Sequence, residues 1–230
     1  MRNLAAKLKR RWTRLWIKPV RVFCFHQVSD VYDPDTMKEC DWMQTEDFKK
    51  KILEFKKQYT FVPLEEAYSL IANDRCRMKR YAVLTADDGW ASVKSILPWL
   101  EEQQVPVILF LNPFYMDGVH FREMETERYL LESDIRSISD TYSGVSVGMH
   151  GWEHVDASKQ SEDEFRKNVE QSIQALKGYK SFVPFFAYPW GRRNGMTDRV
   201  LKEFDVVPVL MDRMRNYNDA SVIHRELLTD

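Results

Sequence analysis

The sequence predicts an α/β fold in which parallel strands alternate with helices and close, or nearly close, into a barrel. Three observations lead there. Residues 105–111 are almost wholly apolar, the pattern of a strand covered on both faces, and residues 81–86 make a second apolar strand. Amphipathic helical stripes fall between the strand segments, so consecutive strands run parallel through right-handed crossovers. About seven such units fit the chain, which suits a single barrel; a doubly wound open sheet is the alternative.

Each element has its own signal. The first strand reads over residues 20–25 and ends at His26-Gln27-Val28-Ser29-Asp30, with Asp33-Pro34-Asp35 marking the loop after it. Thr45 is placed to cap a helix in which Phe48, Ile52, Phe55 and Tyr59 form an apolar stripe while Lys49, Lys50, Lys56 and Lys57 face water. A short helix covers residues 64–72. The strand at 81–86 runs into Gly89, and the helix beyond it carries Val93, Leu97 and Leu100, with a bend expected at Pro98. Residues 112–144 read as irregular and polar, with charged runs such as Arg122-Glu123-Met124-Glu125. A strand resumes at 145–149. Ser161 and Glu164 form a capping box that opens a helix with Phe165, Val169, Ser172 and Leu176 inward, and Gly178 ends it. A strand at 183–188 stops at Pro189-Trp190-Gly191, and a helix near 197–204 with strands near 206–211 and 222–227 completes the order.

The 230 residues suit one large domain, and a hydrophobic content of 44% supplies its core. The net charge of -1 gives no basic footprint for nucleic acid. Cys24, Cys40 and Cys76 are odd in number and scattered, without a CxxC, which fits a reducing compartment better than a disulfide framework. Residues 1–20 stand apart from the barrel domain expected over 21–230. From Met1 to Arg21 the chain carries Arg2, Lys7, Lys9, Arg10, Arg11, Arg14, Lys18 and Arg21 and no acidic residue. Ala5, Leu8, Trp12, Leu15 and Trp16 recur at helical spacing against that basic face. Such a helix would lie on the anionic cytoplasmic face of a membrane or pack on the domain. No apolar run approaches the twenty or so residues of a spanning helix.

The chemistry gathers at strand ends. Asp87-Asp88 is delivered by an apolar strand into a glycine turn, and two neighbouring carboxylates call for a compensating cation or hydrogen bonds. His150 and His154, four positions apart, answer that need: one Asp and two His make a metal-binding set with room for water. His26, Asn112, Tyr188-Pro189-Trp190 and Met211-Asp212 also follow predicted strands, so a parallel barrel brings them to the same rim.

Three of these stretches have a family likeness. Thr85-Ala86-Asp87-Asp88-Gly89 resembles the T-F-D-D-G motif of the polysaccharide deacetylases, carbohydrate esterase family 4. His150-Gly151-Trp152-Glu153-His154 resembles their H-[S/T]-x-x-H motif, and Ala187-Tyr188-Pro189-Trp190-Gly191 the Y-P-Y-G form of the third. Phe25-His26-Gln27-Val28 is similar to the Y-H-x-[VI] start of a subgroup acting on extracellular glycans. The likeness runs from about Val22 to Leu228, with order and spacing preserved.

The resemblance implies a distorted (β/α)7–8 barrel and hydrolysis of an N-acetyl group from an amino-sugar glycan or glycan precursor. It implies a divalent metal on Asp88, His150 and His154, zinc ahead of cobalt, nickel or manganese. Asp87 would be the general base, and the metal with a backbone N–H near Tyr188 would stabilise the oxyanion. His224, on the last strand, stands where the family supplies its acid, although Arg225 is the alternative residue to face the site. His26, Tyr188, Pro189 and Trp190 would line the sugar site; for His26 a core role is as compatible, and Trp152 and Trp190 either stack on sugar or pack. His120 reads as a surface residue. Ala86, Met149 and Gly151 depart from the motifs, and Ala187 stands where many members carry an Arg that orients the catalytic Asp. A non-catalytic glycan-binding or assembly protein and a hydrolase of a non-sugar amide are the competing readings.

Overall fold

The computed structural model describes residues 18–31, 42–73, 79–120 and 129–229. Seven strands form the barrel: β1 (Arg21–Phe25), β2 (Tyr81–Ala86), β3 (Val107–Leu111), β4 (Val145–Met149), β5 (Phe182–Ala187), β6 (Val207–Met211) and β7 (Ile223–Leu227). All neighbouring pairs are parallel, and β1 pairs with β2 on one side and β7 on the other. That double pairing closes the barrel and rules out the open sheet. The basic segment expected at residues 1–20 lies outside the described residues up to residue 17; Val20 already bridges to Asn216 at the barrel edge. Among the described residues no helix is long and apolar enough to cross a membrane.

The helices are α1 (Thr45–Lys56), α2 (Leu64–Ala72), α3 (Leu97–Glu102), α4 (Glu132–Thr141), α5 (Glu162–Leu176) and α6 (Gly195–Glu203). Because side chains alternate across a strand, the core splits into two clusters. Phe23, Phe25, Leu84, Leu109, Val147 and Phe186 point outward to Phe48, Ile52, Phe165, Val169 and Val200 of the helices. Val22, Val83, Ile108, Phe110, Phe185, Val209 and Ile223 point inward, where α2 adds Leu64, Ala67 and Ile71. Each large side chain so buried contributes roughly 1.5–3 kcal/mol. Gly148 is required on the inward row, since a Cβ there would sit 2.7 Å from the Phe110 ring.

Several boundaries differ from expectation. Gln44, not Thr45, is the cap of α1, and Thr45 is its first residue. Pro98 does not bend a helix: the chain breaks between a 3-10 turn (Ala91–Ser95) and α3, and Pro98 occupies the first turn of α3, where its missing N–H costs nothing. Within the stretch read as irregular, α4 forms because Asp134 accepts from the Leu131 N–H at 3.0 Å. Its buried residues are Ile135, Ile138 and Ser139, and two apolar side chains one turn apart are a sparse signal in a polar run. The Ser161–Glu164 capping box of α5 is present.

Candidate active site

The inward rows of β1, β2 and β7 continue past the apolar layer into polar residues. Cys24 follows Val22, Thr85 and then Asp87 follow Val83, and Arg225 follows Ile223. Asp87 extends this row just beyond β2, its N–H bonded to Phe25 O at 3.1 Å. Simple alternation would send Asp88 to the opposite face. Asp88 and Gly89 instead both take positive φ, 69° and 76°, and this left-handed turn, tolerated by Asp and Gly, returns the Asp88 carboxylate to the barrel mouth.

There Oδ1 of Asp88 lies 3.1 Å from Nε2 of His150 and 3.3 Å from Nε2 of His154. The two imidazoles converge on one carboxylate oxygen, and all three donor atoms lie within 4.8 Å of one another. His150 follows β4, and its Nδ1 lies 2.8 Å from Ala187 O. A proton on Nδ1 leaves the Nε2 lone pair for a ligand, the supporting contact that ligating histidines commonly make. Oδ2 of Asp88 accepts from Trp90 Nε1 at 3.2 Å. This donor set fits a divalent ion such as zinc.

Trp90 was not singled out from the sequence. Its ring is buried and stacks on Tyr129 at 4.8 Å, which stacks on Tyr115 at the same spacing. Asn112, placed at a strand end by the sequence, donates to His150 O at 2.5 Å and Gly151 O at 3.1 Å and so ties down the histidine turn. Gly151 has φ 85°, and a Cβ there would meet Glu153 O at 2.9 Å, so the hydroxyl residue of the family motif has no place in this turn. Ala86 and Met149 belong to the outward core cluster, so their departures alter packing and leave the donor atoms untouched.

Asp87 is gripped from below. Nη1 and Nη2 of Arg225 reach Oδ1 and Oδ2, each at 2.6 Å, and Nη1 also donates to Thr85 Oγ1 at 3.1 Å. Burial pushes the Asp87 carboxyl up, but the guanidinium and His150 outweigh it and hold the group below its ordinary range. For Asp88, burial is likewise overcome by the hydrogen bond to His150 and the charges of His154 and His26, which bring it well below.

The remaining expected residues separate. His26 is half-buried, with a ring nitrogen within 4.8 Å of an Asp87 carboxylate oxygen. His224 is not brought to the cluster: one residue out of step with inward-facing Arg225, its Nδ1 lies 2.8 Å from Asp212 Oδ2. Tyr188, expected against sugar, is buried; its hydroxyl donates to Asp198 Oδ1 at 3.1 Å and its ring stacks near Phe165. Its N–H bonds Val209 O at 3.3 Å and is not an oxyanion donor. Pro189 is buried too. Trp190 is 57% exposed, takes a positive φ of 53° and sets its ring against His154 at 4.3 Å. His120 is at the surface, against Asp117 and Phe114.

The barrel is similar to solved structures of deacetylases. IcaB from Ammonifex degensii is 20% identical, with a TM-score of 0.78 over 91% of each chain. The Streptococcus pyogenes deacetylase PplD, solved with acetate, is 17% identical, with a TM-score of 0.77 over 91% of this chain and 92% of its own. The deacetylase domain of BpsB from Bordetella bronchiseptica is 16% identical, with a TM-score of 0.71 over 90% of this chain and 95% of its own. At these identities the likeness shows the shared fold. No curated protein matches the chain by sequence. Residues 74–209, more than half of the chain, match the sequence pattern of the polysaccharide deacetylases, and the chain belongs to that family.

Proposed function

We propose that this protein is a metal-dependent hydrolase that removes N-acetyl groups from an amino-sugar glycan or glycan precursor. The convergence of His150 and His154 on one oxygen of Asp88, with a second, ionised carboxylate beside it, carries this reading. Asp88, His150 and His154 would hold the ion. When bound, a divalent ion supplies Lewis acidity, which polarises a carbonyl and makes a water easier to deprotonate.

The protein's own groups do the rest. Asp87, kept ionised by Arg225, takes the proton from the attacking water. Its two oxygens already accept from the guanidinium, so it acts from a fixed position. His26 is the imidazole outside the ligand set that acts on both aspartates, and we assign to it the proton delivered to the departing amine. Trp190, exposed at the rim beside His154, offers a flat apolar face to a sugar ring.

The test is incubation of zinc-loaded protein with acetylated chitooligosaccharides, read by mass spectrometry for loss of acetyl groups. Release of acetate that stops on chelation and in Asp87→Asn is expected. Zinc binding without turnover of any acetylated glycan would leave a glycan-binding role, and turnover confined to non-sugar amides would replace the substrate.

A further inference from the structure

Beside the Asp88 cluster lies a second group of metal-binding side chains, sharing no residue with it. Cys24 and His26 are two residues apart on β1 and the loop after it, hence on the same inward face, and Asp87 emerges from the adjacent strand. Sγ of Cys24, a ring nitrogen of His26 and a carboxylate oxygen of Asp87 lie within 4.8 Å of one another. We propose that Cys24, His26 and Asp87 form a second, sulfur-containing metal site that fills after the Asp88 site and shuts the enzyme down. The inhibitory half rests on the reading of Asp87 and His26 as the proton-handling pair.

The donor chemistry is distinct from that of the first set. A thiolate, an imidazole and a carboxylate suit Zn2+, Cd2+ or Co2+ and disfavour Mg2+ and Ca2+. Nη1 of Arg225 bridges two of the three donors, reaching Oδ1 of Asp87 at 2.6 Å and Sγ of Cys24 at 3.4 Å, so an ion must take the lone pairs that these contacts leave. A carboxylate offers about four lone-pair positions, and the bidentate guanidinium uses one on each oxygen, leaving others for an ion.

Two features make this the weaker site. Cys24 is fully buried, and burial holds it as the thiol, so the ion must displace a proton: the S–H bond breaks, a metal–sulfur bond forms and H+ leaves to solvent. The guanidinium eases ionisation of the thiol, but its Nη1 donates to Sγ at 3.4 Å, so it competes for the sulfur and repels the incoming ion. Half-buried His26 is the member nearest solvent and gives the ion its way in. Once seated, the ion occupies the base and the nitrogen of His26 that would carry a proton, so a soft metal in excess inhibits where the first equivalent activates.

The experiment titrates Co2+ into the metal-free full-length protein and follows the near-ultraviolet sulfur-to-cobalt charge-transfer band. A first equivalent without the band and a second with it are expected. Cys24→Ala should bind one equivalent without the band, and Cys24→Ser, closer in size, covers failure of the alanine variant to fold. In parallel, activity against added Zn2+ should rise and then fall in the wild type and only rise in the Cys24 variants. Absence of the band, or its persistence in both Cys24 variants, overturns the site; a bound second equivalent without inhibition overturns its role. If no acetylated substrate is turned over at all, the proposed function fails while the cobalt titration still decides the site.

Discussion

Arg225 and Asp87 form a bidentate ion pair, both N···O contacts 2.6 Å, in which the arginine is 1% and the aspartate 3% exposed. Charge-assisted fork contacts of this kind fix orientation as well as charge. The arginine comes from β7, while Ala187 on β5 occupies the motif position where many relatives place theirs. The compensation for Asp87 therefore arrives from a different strand of the same barrel.

Removing one partner of this pair leaves a buried charge without its counterpart, a loss of about 3–5 kcal/mol. Arg225→Met should therefore destabilise strongly in urea titrations. The double variant Asp87→Asn/Arg225→Met should cost less than the sum of the two single changes. Additive losses would show that the pair is not coupled in solution.

The same pair sets a pH dependence. The folded Asp87 carboxyl lies below its ordinary value of about 3.9, so its contribution to stability is present above that value and is lost as pH falls through the lower folded one. Without the guanidinium, the largest opposition to burial is gone, only His150 and His26 still act against it, and the carboxyl rises. In Arg225→Lys, which keeps charge but loses the fork, turnover should fall and the acid limb of the kcat/KM profile should move to higher pH. An unmoved limb with unchanged kcat would mean that Arg225 does not position the base.

Asp87→Asn itself should bind the first equivalent of zinc nearly as the wild type does, because Asp88, His150 and His154 are intact, yet lose roughly 10² to 10⁴ in rate. Calorimetric zinc binding and acetate release measured on one preparation separate the two effects. Equal loss of rate and of first-equivalent binding would place Asp87 among the ligands of the Asp88 site.

How legible this site was depended on the physical scale of each signal. The Asp87-Asp88 and His150-His154 sets carry their chemistry in residue type and spacing, and the apolar strands before them fix which barrel end they reach. The Ser161–Glu164 box was equally local. By contrast, the choice between His224 and Arg225 turned on a single step of strand parity. Counting from apolar Ile223, an inward residue, puts Arg225 on the same face and His224 on the other. Trp90 was hidden for another reason: its contact with Asp88 depends on the left-handed turn at Asp88-Gly89 and on stacking against Tyr129, some forty residues away. Tyr188 looked like a site residue because it ends a strand, but its ring and hydroxyl are consumed by Phe165 and Asp198.

Trp90→Phe is expected to keep the stack on Tyr129 while losing the N–H that Asp88 Oδ2 accepts. Supporting contacts of this kind are worth about 10- to 100-fold in metal affinity, so a zinc competition assay should show a loss in that range with little change in melting temperature. Unchanged affinity would reduce Trp90 to packing.

His26 and His224 make opposed predictions for the departing amine. His26 has a ring nitrogen within 4.8 Å of an Asp87 carboxylate oxygen and its charge acts on both aspartates, whereas His224 is held by Asp212. An imidazole acid must carry a proton to the leaving group, so it has to face the reacting atoms. His26→Ala should therefore reduce kcat sharply with the first equivalent of zinc still bound. His224→Ala should keep kcat near the wild-type value, because its ring engages Asp212 and lies on the strand face opposite Arg225. The reverse outcome, kcat preserved in His26→Ala and lost in His224→Ala, would return the acid to the last strand and require that strand to turn its other face to the site.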